Sequence, residues 1–438
     1  MTLASPRALG LDFGTTNTVF AMADADGAAR SILFDAGDGP RATARTALTF
    51  SAESKAGRGH GVEAGPWAIQ EYLEAPEDTR FLQSIKTYAA SPHFPGAILY
   101  ARRYTFEDLA ELVVARLRAR VGDALATTPR RLVVGRPVAY AGAAPDPKLA
   151  QERYLRAFGR FGFDEIHFVH EPVAAAFYFA RRLAKPATVL VADFGGGTTD
   201  YSIMRFVPAG EGGPPKAEPL AAAGVGVAGD QFDFRLVDRL VLPALGKGSL
   251  YQSLGKRLEI PPSLFMNAAR WNLLSTFRAS PEFKTLLEME RFALEPEKIR
   301  RFIDLVEENE GYALYQAIAT TKIALTDADA ADFAFKAHGV DLAARVARAD
   351  FESWIADDLA RIEAALDEAL ARAGLSEQGI DRVFLTGGAS FVPALRRIFL
   401  RRFGVDRIES GDEFLSIAGG LALIGERDDA AAWAAAPD

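Results

Sequence analysis

The stretch Asp12-Phe13-Gly14-Thr15-Thr16-Asn17 returns near the middle of the chain as Asp193-Phe194-Gly195-Gly196-Gly197-Thr198-Thr199-Asp200. Each copy follows an apolar run and precedes another apolar run, at 19–22 and at 201–206. Two apolar strands joined by a Gly/Thr turn are typical of a β-hairpin with a tight polar tip. Two copies of this unit predict two related lobes.

The residue types at the two tips suit a nucleoside triphosphate and its divalent cation. Asp12 and Asp193 stand at strand ends, where carboxylates can face a cation. The glycines let backbone N–H groups approach phosphates, and the threonines add hydroxyl donors. One such motif alone is more often an ordinary hairpin turn. Two copies in the same context favour a site whose tips clasp the phosphates from both sides.

Composition excludes several kinds of site. The 438 residues include no cysteine, so disulfides, thiolate metal sites and cysteine nucleophiles are excluded. The net charge of -8 argues against a nucleic-acid partner. No signal-like segment opens the chain, and no apolar run reaches the roughly 18 residues of a membrane span. We therefore expect a soluble, cytoplasmic protein without a membrane partner.

Other nucleotide-binding motifs fit less well. Neither a protein-kinase catalytic loop nor a Walker A sequence is present. The stretch Gly224-Val225-Gly226-Val227-Ala228-Gly229 matches a dinucleotide fingerprint, but the strand and acidic residue expected to follow it are not evident. We interpret it as a glycine loop that aims a helix starting near Asp230 at a phosphate.

In order along residues 8–425, the motifs resemble the DnaK-type heat-shock chaperones of the actin-like ATPase superfamily, most of all their short, YegD-type members. The segments that carry the resemblance are 9–18, Gly135-Arg136-Pro137-Val138-Ala139-Tyr140, His170-Glu171-Pro172-Val173-Ala174-Ala175-Ala176, 191–203 and Phe384-Leu385-Thr386-Gly387-Gly388-Ala389. The resemblance implies an α/β, two-lobed actin-like ATPase fold, built from duplicated ribonuclease-H-like domains with a nucleotide cleft between the lobes.

The expected domain organisation follows from the repeat and the resemblance. Lobe I covers 1–185, with an outer sub-domain at about 37–108. Lobe II covers 186–426, with an outer sub-domain at about 229–345. Residues 427–438 are expected to form a flexible tail, and 245–310 to be largely helical.

The resemblance also implies roles for individual residues. Asp12 and Asp193 would hold Mg2+, while Lys86, Glu171, Thr198 and Asp200 would be catalytic, the lysine on the transferred phosphoryl group and the carboxylates near the attacking water. The residues expected to line the bound ATP or ADP are Gly14, Thr15, Thr16, Asn17, Gly195, Gly196, Gly197, Thr198, Gly229, Lys322, Thr326, Gly387, Gly388, Ala389, Phe391 and Asp412.

Several positions depart from the family pattern. Ile323 and Phe391 stand where the family has two arginines that sandwich the adenine, and Ala319 replaces an acidic residue that contacts the ribose. We expect an apolar sandwich by Ile323 and Phe391, with burial of Phe391 in the lobe core as the alternative. His167, His170 and Val173 depart from residues that dock J-domain co-chaperones, so that partner is not carried over.

The sequence therefore predicts a slow, Mg-dependent ATPase that acts as a nucleotide-gated, chaperone-like switch with an unidentified protein partner. Because no client-binding domain follows residue 425, we do not expect the holding of unfolded clients. Two alternatives stay open: a sugar-type small-molecule kinase of the same superfamily, and an ATP-binding scaffold or filament protein.

Overall fold

The computed structural model describes residues 7–24, 27–37, 39–52, 61–75, 78–125, 128–142, 144–181, 183, 185–207, 216–266, 277–278, 280–308, 310–337, 339–409, 411 and 415–435. The chain divides into two compact units. The first comprises Met1–Glu71, Gln83–Gly229 and Leu359–Asp438, and the second comprises Tyr72–Leu82 and Asp230–Asp358. Within the described ranges no helix is both long enough and apolar enough to span a bilayer.

The strands are numbered in chain order. They are β1 (Ala8–Phe13), β2 (Asn17–Ala23), β3 (Ala29–Ser31), β4 (Ala44–Arg45), β5 (Ala47–Ser51), β6 (Gly61–Ala64), β7 (Thr79–Gln83), β8 (Ala97–Leu99), β9 (Arg102–Tyr104), β10 (Arg131–Arg136), β11 (Glu165–His170), β12 (Ala187–Phe194), β13 (Thr199–Val207), β14 (Lys216–Val225), β15 (Leu250–Ser253), β16 (Lys256–Glu259), β17 (Ala330–Ala337), β18 (Val340–Ala347), β19 (Arg382–Thr386) and β20 (Ile408–Glu409).

The α-helices are numbered in the same way. They are α1 (Gly65–Glu74), α2 (Phe106–Arg120), α3 (Pro147–Phe158), α4 (Glu171–Ala180), α5 (Gly229–Leu236), α6 (Ser263–Met266), α7 (Pro281–Glu290), α8 (Pro296–Glu307), α9 (Gly311–Asp327), α10 (Arg348–Trp354), α11 (Ala356–Ala373), α12 (Pro393–Phe403) and α13 (Ser416–Gly425).

The first unit contains two mixed sheets with the same topology. One has the order β3-β2-β1-β10-β11, with β4 as an additional partner of β2, and the other has the order β14-β13-β12-β19-β20. In both sheets the first three strands are antiparallel neighbours, and the last two run parallel to the first hairpin strand. This identity of order confirms the prediction that the two hairpins belong to related halves of the chain.

Helices α4 and α13 join the cores of these two sheets. A single cluster of buried side chains includes Val133 of the first sheet, Val191 of the second, the alanines of α4 and Leu421 of α13. The helices cross closely because Gly420 has no side chain: a Cβ there would lie 1.8 Å from the Ala174 carbonyl oxygen. The strand ends that carry the predicted site residues in both sheets are therefore supported by one packed core.

Local signals account for several helix ends. Thr105 and Asp108 form a capping box at the start of α2, and the Asp146 carboxylate accepts a hydrogen bond from the Leu149 N–H at the start of α3. Gly374, with φ of 64°, ends α11 as expected, because a left-handed residue after a helix favours glycine.

The second unit has its own core. Strands β17 and β18 pair along their full length, and helix α9 packs on β17. Phe265 and Phe277 both pack against Phe302 of α8, with 5.6 and 5.7 Å between the ring centroids. Phe283 packs against Phe277 at 5.8 Å. The segment 245–310, expected to be largely helical, also contains the antiparallel hairpin β15–β16. The residue composition of this segment did not predict the hairpin, because its two strands are only four residues long.

The segment 427–435, expected to belong to a flexible tail, makes specific contacts. Ala430 is buried, and the Trp433 ring packs edge-on against Phe177 of α4, with 5.1 Å between the centroids. The Ala435 N–H donates a hydrogen bond to the Phe168 carbonyl oxygen. Trp433 is the large aromatic residue that anchors this otherwise Ala-rich segment by packing on Phe177.

Candidate functional site

A buried ion pair lies at the centre of the predicted site. The Lys86 ammonium contacts the Glu171 carboxylate, and the two side chains are only 8% and 5% exposed. Burial lowers the pKa of Lys86, but the attraction of Glu171 and then Asp12 outweighs it and leaves the pKa above its usual value. Lys86 is therefore charged at neutral pH, although it is shielded from water.

The turn that carries Lys86 follows a residue with a left-handed backbone and is fixed by hydrogen bonds from an arginine. Lys86 lies in the short 3-10 helix Ile85–Tyr88, and Ser84 before it takes a left-handed φ of 55°. The Arg153 guanidinium of α3 donates to the carbonyl oxygens of Tyr88, Ala89 and Ser91 at 2.8–3.0 Å. These bonds fix the turn and with it the direction of the lysine.

Glu171 is the first residue of α4, directly after β11, so the acid stands at the helix N-terminus as its sequence predicts. Gly135 of β10 makes room for it, because a Cβ there would lie 2.9 Å from the Glu171 Cγ. The glycine in this strand is thus needed to bring the carboxylate close to the sheet end.

Asp12 and Asp193 end the leading strands of the two hairpins. Burial and the nearby Glu171 charge raise the pKa of Asp12 to about 7, with Lys86 acting in the opposite direction. Burial, Glu171, Asp12 and Asp200 raise the pKa of Asp193 well above its usual value. The two carboxylates repel each other in the protein alone, which is the situation that a bound cation relieves.

Asp200 lies across the hairpin from Asp193, in register with it. It is fully buried, and its Oδ1 atom accepts hydrogen bonds from the N–H groups of Val138 (2.6 Å) and Ala139 (3.0 Å). Burial and the charge of Glu171 raise the pKa of Asp200 to about 7, against the effect of these hydrogen bonds and one from Thr198.

The glycines of the tips bring backbone groups close to these side chains. A Cβ on Gly197 would lie 3.4 Å from the Thr15 hydroxyl, so the two tips are adjacent. Gly387 has φ of 81°, and a Cβ there would lie 2.9 Å from Asp193 Oδ1. The Gly229 N–H donates to the Gly195 carbonyl oxygen at 3.3 Å. The Gly/Thr tips and the Gly-Gly turn therefore surround the carboxylates.

The carboxylates of Asp12 and Asp193 are the candidate ligands for a magnesium ion. Among the described residues no group of three or more acidic or histidine side chains is arranged to hold a metal by itself. Asp12 and Asp193 alone fit Mg2+, because this ion is usually bound by one or two carboxylates together with water and substrate phosphates. The raised pKa values of Asp12 and Asp193 show that burial and neighbouring carboxylates disfavour their charged forms in the protein. A bound cation would favour those charged forms, which agrees with a role as magnesium ligands.

The residues expected around the nucleoside fall into three groups. Gly388, Ala389 and Phe391 belong to the turn after β19, where Ala389 is buried and Phe391 is 47% exposed. The Phe391 ring therefore lies outside the core that buries Val392. Lys322 and Thr326 belong to α9 of the second unit, where Lys322 pairs with Asp233 at 2.7 Å. Asp412 lies outside the described residues.

Two glycines of the fingerprint 224–229 have packing roles that the sequence did not reveal. Gly224 lies in β14 opposite Asp200, and a Cβ there would come within 2.6 Å of Asp200 Oδ1. Gly226 similarly lies close to Ala141. These two glycines make room for Asp200 and the loop after β10, while α5 begins at Gly229.

Sequence reasoning missed a buried polar cluster behind the ion pair. Arg136, at the end of β10, is 1% exposed and donates to Gln151 of α3 at 2.9 Å. Tyr140 and Tyr154 are also buried, and burial raises the pKa of Tyr140 to about 12. The motif 135–140 had drawn attention to this loop, but no local pattern marks an arginine or a phenol as buried.

Comparisons with known proteins agree with the fold. A family model described as Hsp70 protein matches residues 288–426. The chaperone protein DnaK of Thermotoga petrophila is 26% identical over 426 residues, covering 95% of this chain and 58% of that protein, and the DnaK of Thermotoga maritima matches equally well. The DnaK of Thermosipho melanesiensis is 24% identical over 425 residues with the same coverage. The chain thus spans 58% of the length of these curated relatives.

Proposed function

We propose that this chain, which is similar to the DnaK chaperones and has the actin-like ATPase fold, binds ATP and hydrolyses it slowly to ADP and phosphate, as a nucleotide-gated switch. One observation carries the proposal. The buried Lys86–Glu171 pair is surrounded by Asp12, Asp193 and Asp200 at the adjoining tips of two Gly/Thr hairpins.

Each part of this arrangement has a chemical use. The backbone N–H groups of Gly196 and Gly197 would bind phosphate oxygens, together with the Thr15 and Thr198 hydroxyls. Lys86 would stabilise negative charge that develops on the transferred phosphoryl group. Glu171 and Asp200 would orient the attacking water and accept its proton. Magnesium, held by Asp12 and Asp193, would neutralise phosphate charge when bound.

The ion pair also supports slow turnover. Lys86 is bound to Glu171 in this structure, so it must give up part of that interaction to reach a phosphate oxygen. Breaking a buried charge pair is costly, of the order of several kcal/mol when one partner is removed outright. Nucleotide binding that loosens this pair would couple hydrolysis to a change of conformation.

Substitution of the lysine tests the proposal. We expect Lys86→Ala to lower the single-turnover rate of ATP hydrolysis by about a hundredfold or more, because the lysine acts mainly on the transition state. The dissociation constant for ATP, measured by calorimetry, should stay within a few-fold. Chelation of magnesium should abolish hydrolysis by the parental protein.

Two controls sharpen the test. Lys336→Ala removes an exposed lysine paired with Asp341 and should hydrolyse ATP at the parental rate. The double variant Lys86→Ala/Glu171→Gln lacks the buried unpaired carboxylate, so its unfolding temperature compared with that of Lys86→Ala measures the stability that the single variant loses. Hydrolysis by Lys86→Ala at the parental rate would overturn the assignment.

A further inference from the structure

Two buried polar atoms near the Lys86–Glu171 pair have no hydrogen-bond partner among the described residues. They are the Tyr140 hydroxyl and Asp200 Oδ2. The Tyr140 side chain is 7% exposed and Asp200 is fully buried. A buried polar atom without a partner costs roughly 1–3 kcal/mol, so native proteins retain few of them without a use.

The backbone places the phenol and the carboxylate in one small region. Asp200 Oδ1 accepts hydrogen bonds from Val138 and Ala139, the two residues directly before Tyr140. The phenol in turn lies within electrostatic reach of Lys86, Glu171 and Asp200. Gly224 and Gly226 keep this loop close, since side chains there would collide with Ala139 and Ala141.

We propose that Tyr140 is a positioning residue for the hydrolytic step, in which its hydroxyl and Asp200 Oδ2 together hold the attacking water. This inference rests on the proposed ATPase function. The water oxygen forms a bond to the γ-phosphorus, the bond from that phosphorus to the ADP oxygen breaks, and the water proton passes to a carboxylate. Burial raises the pKa of Tyr140 to about 12, so the phenol keeps its proton at neutral pH and can donate one hydrogen bond while accepting another.

A second buried phenol provides the matched comparison. The Tyr154 hydroxyl also has no partner among the described residues, but its ring belongs to an aromatic cluster with Phe13, Phe106 and Phe158. Tyr154 is also within electrostatic reach of Glu171 and Asp12, but it lies on α3 and not in the loop that Asp200 holds. Loss of its hydroxyl should leave hydrolysis unchanged.

The test compares Tyr140→Phe and Tyr154→Phe with the parental protein. We expect Tyr140→Phe to lower the single-turnover hydrolysis rate about tenfold, because the water loses one of its two fixed partners. The ATP dissociation constant should stay within twofold and the unfolding temperature of the nucleotide-free protein should not fall. Tyr154→Phe should match the parental protein in all three. Binding stoichiometry confirms that each variant is folded.

Three results would overturn the inference. A Tyr140→Phe protein that hydrolyses ATP at the parental rate, while Lys86→Ala does not, removes Tyr140 and leaves the proposed function intact. An equal loss in both tyrosine variants makes the effect a general one of buried hydroxyls. A parental protein that binds ATP without hydrolysing it removes the proposed function and this inference together.

Discussion

The two Asp-Phe-Gly hairpins share a backbone and differ in their chemistry. In both, the glycine after Phe donates to a carbonyl oxygen three residues on, from Gly14 to Asn17 at 2.9 Å and from Gly195 to Thr198 at 3.0 Å. Asp12 pairs across its hairpin with Val19, whereas Asp193 pairs with Asp200. The first hairpin therefore has one carboxylate at its end, and the second has two.

The residues of the two turns also differ. The first tip carries the hydroxyls of Thr15 and Thr16, where the second has Gly196 and Gly197. The first hairpin therefore offers two hydroxyls at positions where the second offers bare backbone, and the second has Thr198 and an additional carboxylate further along. Topology is shared between the halves, but the chemistry of one half does not follow from that of the other.

The largest expected effect comes from removing the carboxylate that only the second hairpin has. Asp200→Asn keeps an oxygen for the Val138 and Ala139 N–H groups but loses the charge that accepts a proton. We expect the hydrolysis rate to fall by about 10²–10⁴ with little change in ATP affinity. Asp381→Asn is the control, because Asp381 also accepts a backbone N–H, from Thr188 at the far end of β12. A small effect at Asp200 would mean that the two hairpins differ only in shape.

The same substitution should reveal the cost of the second carboxylate to stability. Asp200 has a pKa of about 7 when folded and 3.8 in the reference state, so the folded form binds the proton more tightly. Its effect is therefore neutral below about pH 4, becomes increasingly destabilising between about pH 4 and 7, and is constant above that. We expect nucleotide-free Asp200→Asn to be more stable than the parental protein by about 2–4 kcal/mol at pH 8, measured by urea unfolding. The difference should shrink as the pH falls to 5, and a constant difference would contradict the assignment.

A smaller effect is expected from the loops after the fourth strand of each sheet. The loop after β10 turns Tyr140 inward, while the turn after β19 leaves Phe391 47% exposed. If Phe391 stacks on the adenine, Phe391→Ala should weaken ATP binding by one to two orders of magnitude, about 1–3 kcal/mol. Stability without nucleotide should change little. Phe292→Ala, at another half-exposed phenylalanine, should leave ATP affinity unchanged. Unchanged ATP affinity in Phe391→Ala would show that the ring does not stack on the adenine.

The smallest effect separates the two tip glycines. A Cβ on Gly14 would lie 2.4 Å from the Asn17 carbonyl oxygen, whereas one on Gly195 would lie 3.4 Å from that of Thr198. We expect Gly14→Ala to lower the free energy of unfolding by about 1–2 kcal/mol more than Gly195→Ala does. Thermal unfolding of the two nucleotide-free variants measures the difference, and equal losses would show that the tips relax alike.

The hairpins and their neighbours were predictable because their signals are local. Apolar runs on both sides of Asp-Phe-Gly indicated strands, and the Gly/Thr turn between them indicated a hairpin. Repetition then predicted related halves, which the shared strand order confirms. The site roles of Asp12, Lys86 and Asp193 came from the family resemblance and stay predictions that the geometry supports.

The missed features depend on contacts between distant segments. The role of Arg153 depends on carbonyl oxygens about 60 residues earlier in the chain. Gly224 resembles part of a phosphate loop until its strand is seen opposite Asp200. Such close approaches are set by packing, which a linear pattern does not encode.

The crossing of α4 and α13 has a consequence for biosynthesis. Helix α13 follows β1 much later in the chain, yet its backbone fills the space left by Gly10 of β1, where a Cβ would lie 2.2 Å from the Ala418 carbonyl oxygen. During synthesis β1 is therefore made long before the helix that covers its face. The first sheet should be completed only after α13 has been made, and until then its apolar face is open to cellular holdases.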